Sequence, residues 1–221
     1  MIDVQLILSL LPDFSVAAVH TLQLVLTASA GGLALGFLIN LLRVFGCRPV
    51  RAMLMAYTQG LRFTPFLAQL FVVYYGLPVF GVTLSPLQAA VLTLSAYSSA
   101  YFAEIFRSCW DTIPKGQLEA AATLGISRLQ AFRAIEMPQA LKLSVPLLTN
   151  QVILVLKESA LASIITYPEL TMTAGKVVAE QFTYVEPYLL LSAVYWLLTL
   201  LIGAAGRRWA VTLNRPSRSP Q

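Results

Sequence analysis

Apolar residues in this chain come in long runs rather than in alternating or narrowly amphipathic stripes. Five stretches stand out: approximately Val19–Leu42, Val50–Tyr75, Pro86–Arg107, Leu143–Ile165 and Tyr188–Gly206. Each is close to or longer than the ~20 residues that carry a helix across ~30 Å of hydrocarbon. The pattern therefore predicts an all-α polytopic membrane protein with five transmembrane helices. The runs are not uniformly greasy. Gln23, Asn40, Gln59, Gln69, Asn150 and Gln151 interrupt them, and amides facing lipid are costly, which favours helices packed round a shared interior. Ahead of the first run, residues 1–18 read as an external or interfacial segment whose short helix ends at Pro12 and Asp13. Between the last two runs, Pro168-Glu169-Leu170 reads as a helix start, with Glu169 near the positive helix end. That helix is expected to be short and external, or partly re-entrant. The tail Asn214–Gln221, rich in Pro, Ser and Arg, reads as disordered.

Composition agrees with the pattern. Of 221 residues, 57% are hydrophobic and only 11% charged, against roughly a quarter charged in a soluble domain. The net charge of +5 does not point to nucleic acid, because no interleaved basic and aromatic pattern accompanies it. The basic residues gather instead on one side of the predicted spans. Arg43, Arg48 and Arg51 lie between the first and second. Arg107, Lys115, Arg128, Arg133 and Lys142 lie at or between the ends of the third and fourth, and Arg207, Arg208, Arg215 and Arg218 follow the fifth. The opposite connections hold Lys176 beside Asp3, Asp13, Glu169, Glu180 and Glu186. Positive residues favour the cytoplasm, which puts the N-terminus outside and the C-terminus inside. The domain reading is an external segment 1–18, a membrane domain 19–206 with a cytoplasmic loop 109–142, and a tail 207–221.

Cys47 and Cys109 are too few for a disulfide or metal framework, and His20, the single histidine, has no ligand cluster. The first residues lack a basic stretch and are not expected to be a cleaved signal.

The loop between the third and fourth runs changes character. In EAAATLGISRLQAFRAIEMP, Glu119 to Pro138, strong helix formers run to Leu124, Gly125 breaks them, and Ser127 caps a second helix to about Ile135. Pro138 is expected to interrupt or redirect the chain. Ala120, Ala121 and Ala122 permit close approach by a partner, and Leu124, Phe132 and Ile135 are candidates for an apolar docking face.

The spacing of Glu119-Ala120-Ala121, Gly125, Ile135 and Pro138, preceded by Ile113-Pro114-Lys115-Gly116-Gln117, resembles the EAA segment of permeases from binding-protein-dependent ATP-driven importers. Arg62-Phe63-Thr64-Pro65 resembles the Arg–x–Thr–Pro element of the HisM/GlnP-like polar amino-acid group. Tyr97 through Arg107, Asn150 and Leu156-Lys157-Glu158-Ser159-Ala160-Leu161 add to the likeness, which spans about Phe14 to Trp209. Phe63 stands where the motif often has Gly, which weakens transfer of solute contacts. The resemblance implies a non-catalytic five-helix subunit in a bacterial inner membrane. Its implied partners are an identical or homologous permease, two cytoplasmic ATPases and an external solute-binding protein. No Walker A pattern is present, so ATP is expected on the partner, with no cofactor or metal held by this chain. Glu119, Ala120, Ala121, Gly125, Ile135 and Pro138 are the expected ATPase contacts.

Charges inside the runs mark where a solute could be read. Glu158 could attract a cationic group and Arg62 or Lys157 a carboxylate; for each, a structural ion pair or helix anchor is the competing reading. Thr64 and Ser99 are candidates for the path, against core packing, and Asn150 for the path or a cross-helix hydrogen bond. An enzyme, an ion-coupled transporter and a non-transporting scaffold are the competing functions. Conversion by the subunit alone, ion-driven accumulation without ATPase, or ATPase binding without uptake would distinguish them.

Overall fold

The computed structural model describes residues 3–213; the expected disordered tail Asn214–Gln221, with Arg215 and Arg218, lies outside them. The described residues are helices joined by short links. These are α1 (Val4–Phe45), α2 (Arg48–Phe63), α3 (Phe66–Phe80), α4 (Pro86–Asp111), α5 (Lys115–Thr123), α6 (Arg128–Ile165), α7 (Leu170–Gln181) and α8 (Val185–Leu213). Of these, 4 are long and apolar enough to cross a bilayer, and α2 with α3 makes a fifth span if the bent pair is counted as one.

The first span is longer than expected. Pro12 and Asp13 do not end a helix; Pro12 lies inside the 42 residues of α1. One proline removes a single internal donor. Here Leu10, Phe14 and Ala17 are buried on either side of it, while Asp13 points outward. The helix begins instead at Asp3, whose side chain accepts from the Gln5 and Leu6 amides at 2.9 and 3.1 Å. The Asp3 amide in turn donates to Glu186 at 3.0 Å, tying this end to the start of α8.

The second span is not continuous: α2 and α3 meet at 106° across Thr64-Pro65. Proline at 65 cannot donate to the Leu61 carbonyl, and the amide of Gln69 takes that role, donating to it at 2.8 Å. Gln69 also donates to Thr64 Oγ1 at 2.8 Å, and the Thr64 hydroxyl donates to the Gly60 carbonyl at 2.8 Å. The elbow backbone is thus supported rather than frayed, although Gln69 Oε1 and Arg62 Nε are buried there without a partner among the described residues.

In the fourth span, Pro138 neither interrupts nor redirects the chain, because α6 runs from Arg128 to Ile165. A π-helical turn at Phe132–Glu136 shifts the register just before it, with the Met137 amide bonding to Phe132. The proline then falls in the first turn of the following α-helical stretch, where a missing donor costs little.

Two apolar clusters hold the bundle. One gathers Phe14, Leu24, Leu94, Leu156, Ile165 and Leu170. The other gathers Phe102, Phe106, Trp110, Phe132 and Leu148. Between α1 and α4 the backbones touch: a Cβ on Gly36 would stand 2.8 Å from Phe102 Cβ and 2.9 Å from the Ser99 carbonyl. Small residues that let helices close in this way are the usual packing solution in lipid, where burial from water does not draw helices together.

The expected short helix is α7. Glu169, fully buried, caps it by accepting from the Met172 amide at 2.7 Å and from the Tyr195 hydroxyl at 3.0 Å. Burial pushes the Glu169 carboxyl above its usual range, and the hydrogen bonds at the helix start pull against that. Tyr167 reaches back to α1, donating to the His20 carbonyl at 3.1 Å.

Candidate functional site

The bridge from Glu119 to Pro138 is built from two caps placed back to back. Gly125 has φ +75°, the left-handed conformation that glycine adopts without penalty. Its amide donates to the Ala122 carbonyl at 3.0 Å and the Ile126 amide to Ala121 at 3.0 Å, closing α5 as a Schellman turn. Two residues later Ser127 opens α6 with a capping box: its amide donates to Gln130 Oε1 at 3.0 Å and its hydroxyl accepts from the Gln130 amide at 3.4 Å. The bend is not crowded, since a Cβ at Gly125 would meet nothing within 4 Å. Backbone strain alone reserves the position for glycine.

The faces of the bridge differ from the expected ones. Ala121 is buried, whereas Glu119, Ala120 and Ala122 are exposed. Phe132 does not belong to a docking face: it is 3% exposed, stacked on Trp110 at 5.6 Å and 10°, and edge-on to Phe45 at 5.1 Å. Ile135 is half-buried and Pro138 exposed. The exposed apolar groups are Leu124, Ile126 and Leu129. Sequence held a signal for the last two, which flank the capping serine at a spacing of three residues. A second tie comes from Gln139, whose amide donates to Gln117 at 2.8 Å and joins α5 to α6. Arg128 bonds the buried Glu136 at 2.6 Å.

The second constellation centres on Glu104 of α4, which meets Arg43 at 2.5 Å, Arg107 at 2.9 Å and Arg62 at 3.7 Å. Arg43 also donates to the Thr58 hydroxyl and, at 3.2 Å, to the Leu54 carbonyl. One carboxylate thereby fastens α1, α2 and α4 together. In the sequence Arg43 reads only as a loop charge; its pairing with Glu104 joins residues 61 positions apart, and no local pattern announces it.

Arg62 lies over the Tyr101 ring at 5.4 Å, a cation–π contact. Tyr101 meets Tyr97 at 5.0 Å between ring centres, and Tyr97 meets Phe66, just beyond the elbow, at 5.3 Å. Glu158 is half-buried and within electrostatic range of Tyr97. Contacts thus run from Arg62 through Tyr101 and Tyr97 to Phe66, with Glu158 in electrostatic range of Tyr97, while Thr64 is held by Gly60 and Gln69. Lys157 points the other way and is exposed; among the described residues neither Lys157 nor Glu158 forms an ion pair. Ser99 is fully buried and shares a hydrogen bond with Tyr57 at 3.0 Å. Asn150 stands apart, exposed in a groove between α6 and α8 with Thr149 and Gly206.

A bundle with 4 apolar spans, or up to 5 with the bent pair, and a capped, exposed bridge is that of a multi-pass membrane protein. The chain belongs to the family of binding-protein-dependent transport system inner membrane components, whose model matches residues 11–210. It is 36% identical over 177 residues to the probable amino-acid ABC transporter permease protein YckA of Bacillus subtilis (strain 168), covering 80% of this chain and 78% of that one. The glutamine transport system permease protein GlnP of Escherichia coli (strain K12) is 33% identical over 190 residues, covering 85% and 87%. Among solved structures, an amino acid ABC transporter crystallised with histidines superposes with a TM-score of 0.90 at 33% identity, covering 96% of this chain and 99% of that one. An inward-facing MetNI methionine ABC transporter superposes at 0.80 with 20% identity, covering 94% and 99%, and shares the fold. The chain is accordingly a multi-pass membrane protein and a permease subunit of an importer.

Proposed function

We propose that this permease carries polar amino acids or amino-acid derivatives inward across a bacterial inner membrane, driven by ATP that a separate subunit hydrolyses. The N-terminus lies outside and the C-terminus inside, as the arginine-rich connections favour. A second permease, identical or homologous, completes the path; two ATPase subunits grip the cytoplasmic bridge, and an external binding protein delivers solute. The chain binds no cofactor of its own. Amino-acid transport by the named relatives supports the solute class.

The observation that carries this reading is the bridge itself. Leu124, Ile126 and Leu129 offer an apolar patch at its tip, beside Glu119, Ala120 and the Gly125 turn, while Ile135 and Pro138 lie where the bridge merges with α6. Phe132 and Trp110 lock its base to α4. A push on the tip is therefore delivered to α4 and α6 rather than absorbed by a loose loop. From α4, Glu104 passes the movement to Arg62 at the elbow. The solute path runs past Thr64, Arg62 and Glu158; Ser99, buried against Tyr57, the exposed Lys157 and Asn150 in the α6–α8 groove lie off it. An ammonium group suits Glu158 and a carboxylate suits Arg62. Copurification with the ATPase, followed by uptake assays over a panel of amino acids presented with the binding protein, tests the proposal. ATP-dependent uptake of at least one polar amino acid is expected; ion-driven uptake by the permease without ATPase contradicts it.

A further inference from the structure

Between the inner ends of α1, α2 and α4 lies a cavity of about 440 Å³. Its wall carries four guanidinium groups, from Arg43, Arg51, Arg62 and Arg107, against two carboxylates, from Glu104 and Asp111, a surplus of two positive charges. Both carboxylates are already engaged by these arginines. Among the described residues, four donors on the same wall are buried and have no hydrogen-bond partner: Arg43 Nε, Arg62 Nε, Trp110 Nε1 and Asn40 Nδ2. Asn40 is 2% exposed and Trp110 8%. Buried donors are nearly always satisfied, and surplus charge in a low-dielectric setting calls for a counter-charge. A wall of donors without spare acceptors suits an oxyanion.

Position selects the oxyanion. Arg43 lies in the last turn of α1, which ends at Phe45. Arg51 lies in the first turn of α2, which starts at Arg48, and Asp111 is the last residue of α4. Helix ends of a spanning bundle mark the headgroup level, and basic pockets between membrane helices at that level hold anionic lipid headgroups. The apolar part of the same wall, Val44, Met55 and Phe63, with Met55 and Phe63 exposed, offers a seat for acyl chain. We propose that this cavity binds the phosphodiester headgroup of an anionic phospholipid, with Arg43, Arg51, Trp110 and Asn40 as its donors. Arg62, which the proposed solute path also uses, lines the cavity but is not one of these headgroup donors.

The test uses the assembled importer in nanodiscs of phosphatidylcholine doped with phosphatidylglycerol, with retained lipids counted by native mass spectrometry. The wild type should keep phosphatidylglycerol in preference to phosphatidylcholine. Arg51→Gln removes one charge at an exposed rim position, and Trp110→Phe removes the indole N–H while keeping a ring to stack on Phe132. Each should weaken retention about tenfold, the effect of losing one hydrogen bond to a charged group, and Arg51→Gln should do so at unchanged thermal stability. Equal retention of both lipids would mean an adventitious lipid only and overturn the proposal. So would retention that neither variant alters. Displacement of phosphatidylglycerol by added glutamine or arginine would assign the cavity to a solute carboxylate and overturn it as well.

Discussion

The bridge and the elbow are both places where a helix stops and the chain turns, yet they are held in opposite ways. At the bridge, backbone caps do the work: a left-handed glycine closes one helix and a serine box opens the next. Its tip is exposed, and only its base is clamped, by Phe132 on Trp110. At the elbow, side chains do the work: Gln69 catches the carbonyl released by Pro65, and Glu104 holds Arg62 from another helix. A turn that must be gripped from outside keeps its surface free and its backbone self-sufficient. A turn that must move with its neighbours is wired into them.

That contrast breaks first at its hub. Glu104→Ala strands Arg43 inside the bundle; removing one partner of a fully buried pair costs about 3–5 kcal/mol, and the 21% exposure of Glu104 puts the loss at the low end or below it. Arg43 is only 10% exposed, so little solvent relief is available. Yield of the assembled permease and its melting temperature should both fall sharply, whereas Glu104→Gln should retain more of each; equal behaviour of the two variants would argue that the charge is unimportant.

The elbow comes next. Gln69→Leu leaves the Leu61 carbonyl unsatisfied, a loss of about 1–3 kcal/mol for a buried group. Proteolysis or hydrogen exchange at the α2–α3 junction should report a loosened turn with the remaining helices unchanged. No change in protection there would show that another group supports Leu61.

At the bridge, Gly125→Val forces a branched side chain into φ +75°, a strain of about 1–3 kcal/mol. Because the surrounding space is open, membrane insertion should persist while ATP-dependent uptake drops. Normal uptake would remove the turn from the coupling argument.

Much of this was legible along the chain, and the rest has identifiable reasons for being hidden. The spans and the Gly125–Ser127 turn are written locally, in residue types with one dominant backbone effect, whereas the second run reads as one span from Val50 to Tyr75 and the 106° bend at Thr64-Pro65 is seen only in the structure. Proline was the less reliable mark. Pro12 and Pro138 look like terminators, but packing round Phe14 and the π-helical turn before Pro138 absorb them. Phe132 could be read as a docking residue because nothing local says that Trp110, 22 positions earlier, takes its ring. The same holds for Glu104, whose three arginine partners come from three helices.

The smallest expected effect concerns solute choice. Glu158→Gln should lower uptake of cationic amino acids several-fold more than that of neutral ones, since among the described residues this half-buried carboxylate has no ion-pair partner to satisfy first. Equal losses for both classes, with assembly intact, would make Glu158 a structural residue.

The most direct measurement is a cross-link from the tip of the bridge. With the exposed Cys47 replaced by serine, a cysteine at Leu129 should join the ATPase subunit through a short bifunctional reagent and resist labelling by an impermeant maleimide added outside the cell. Labelling from outside, with no ATPase adduct, would contradict the account.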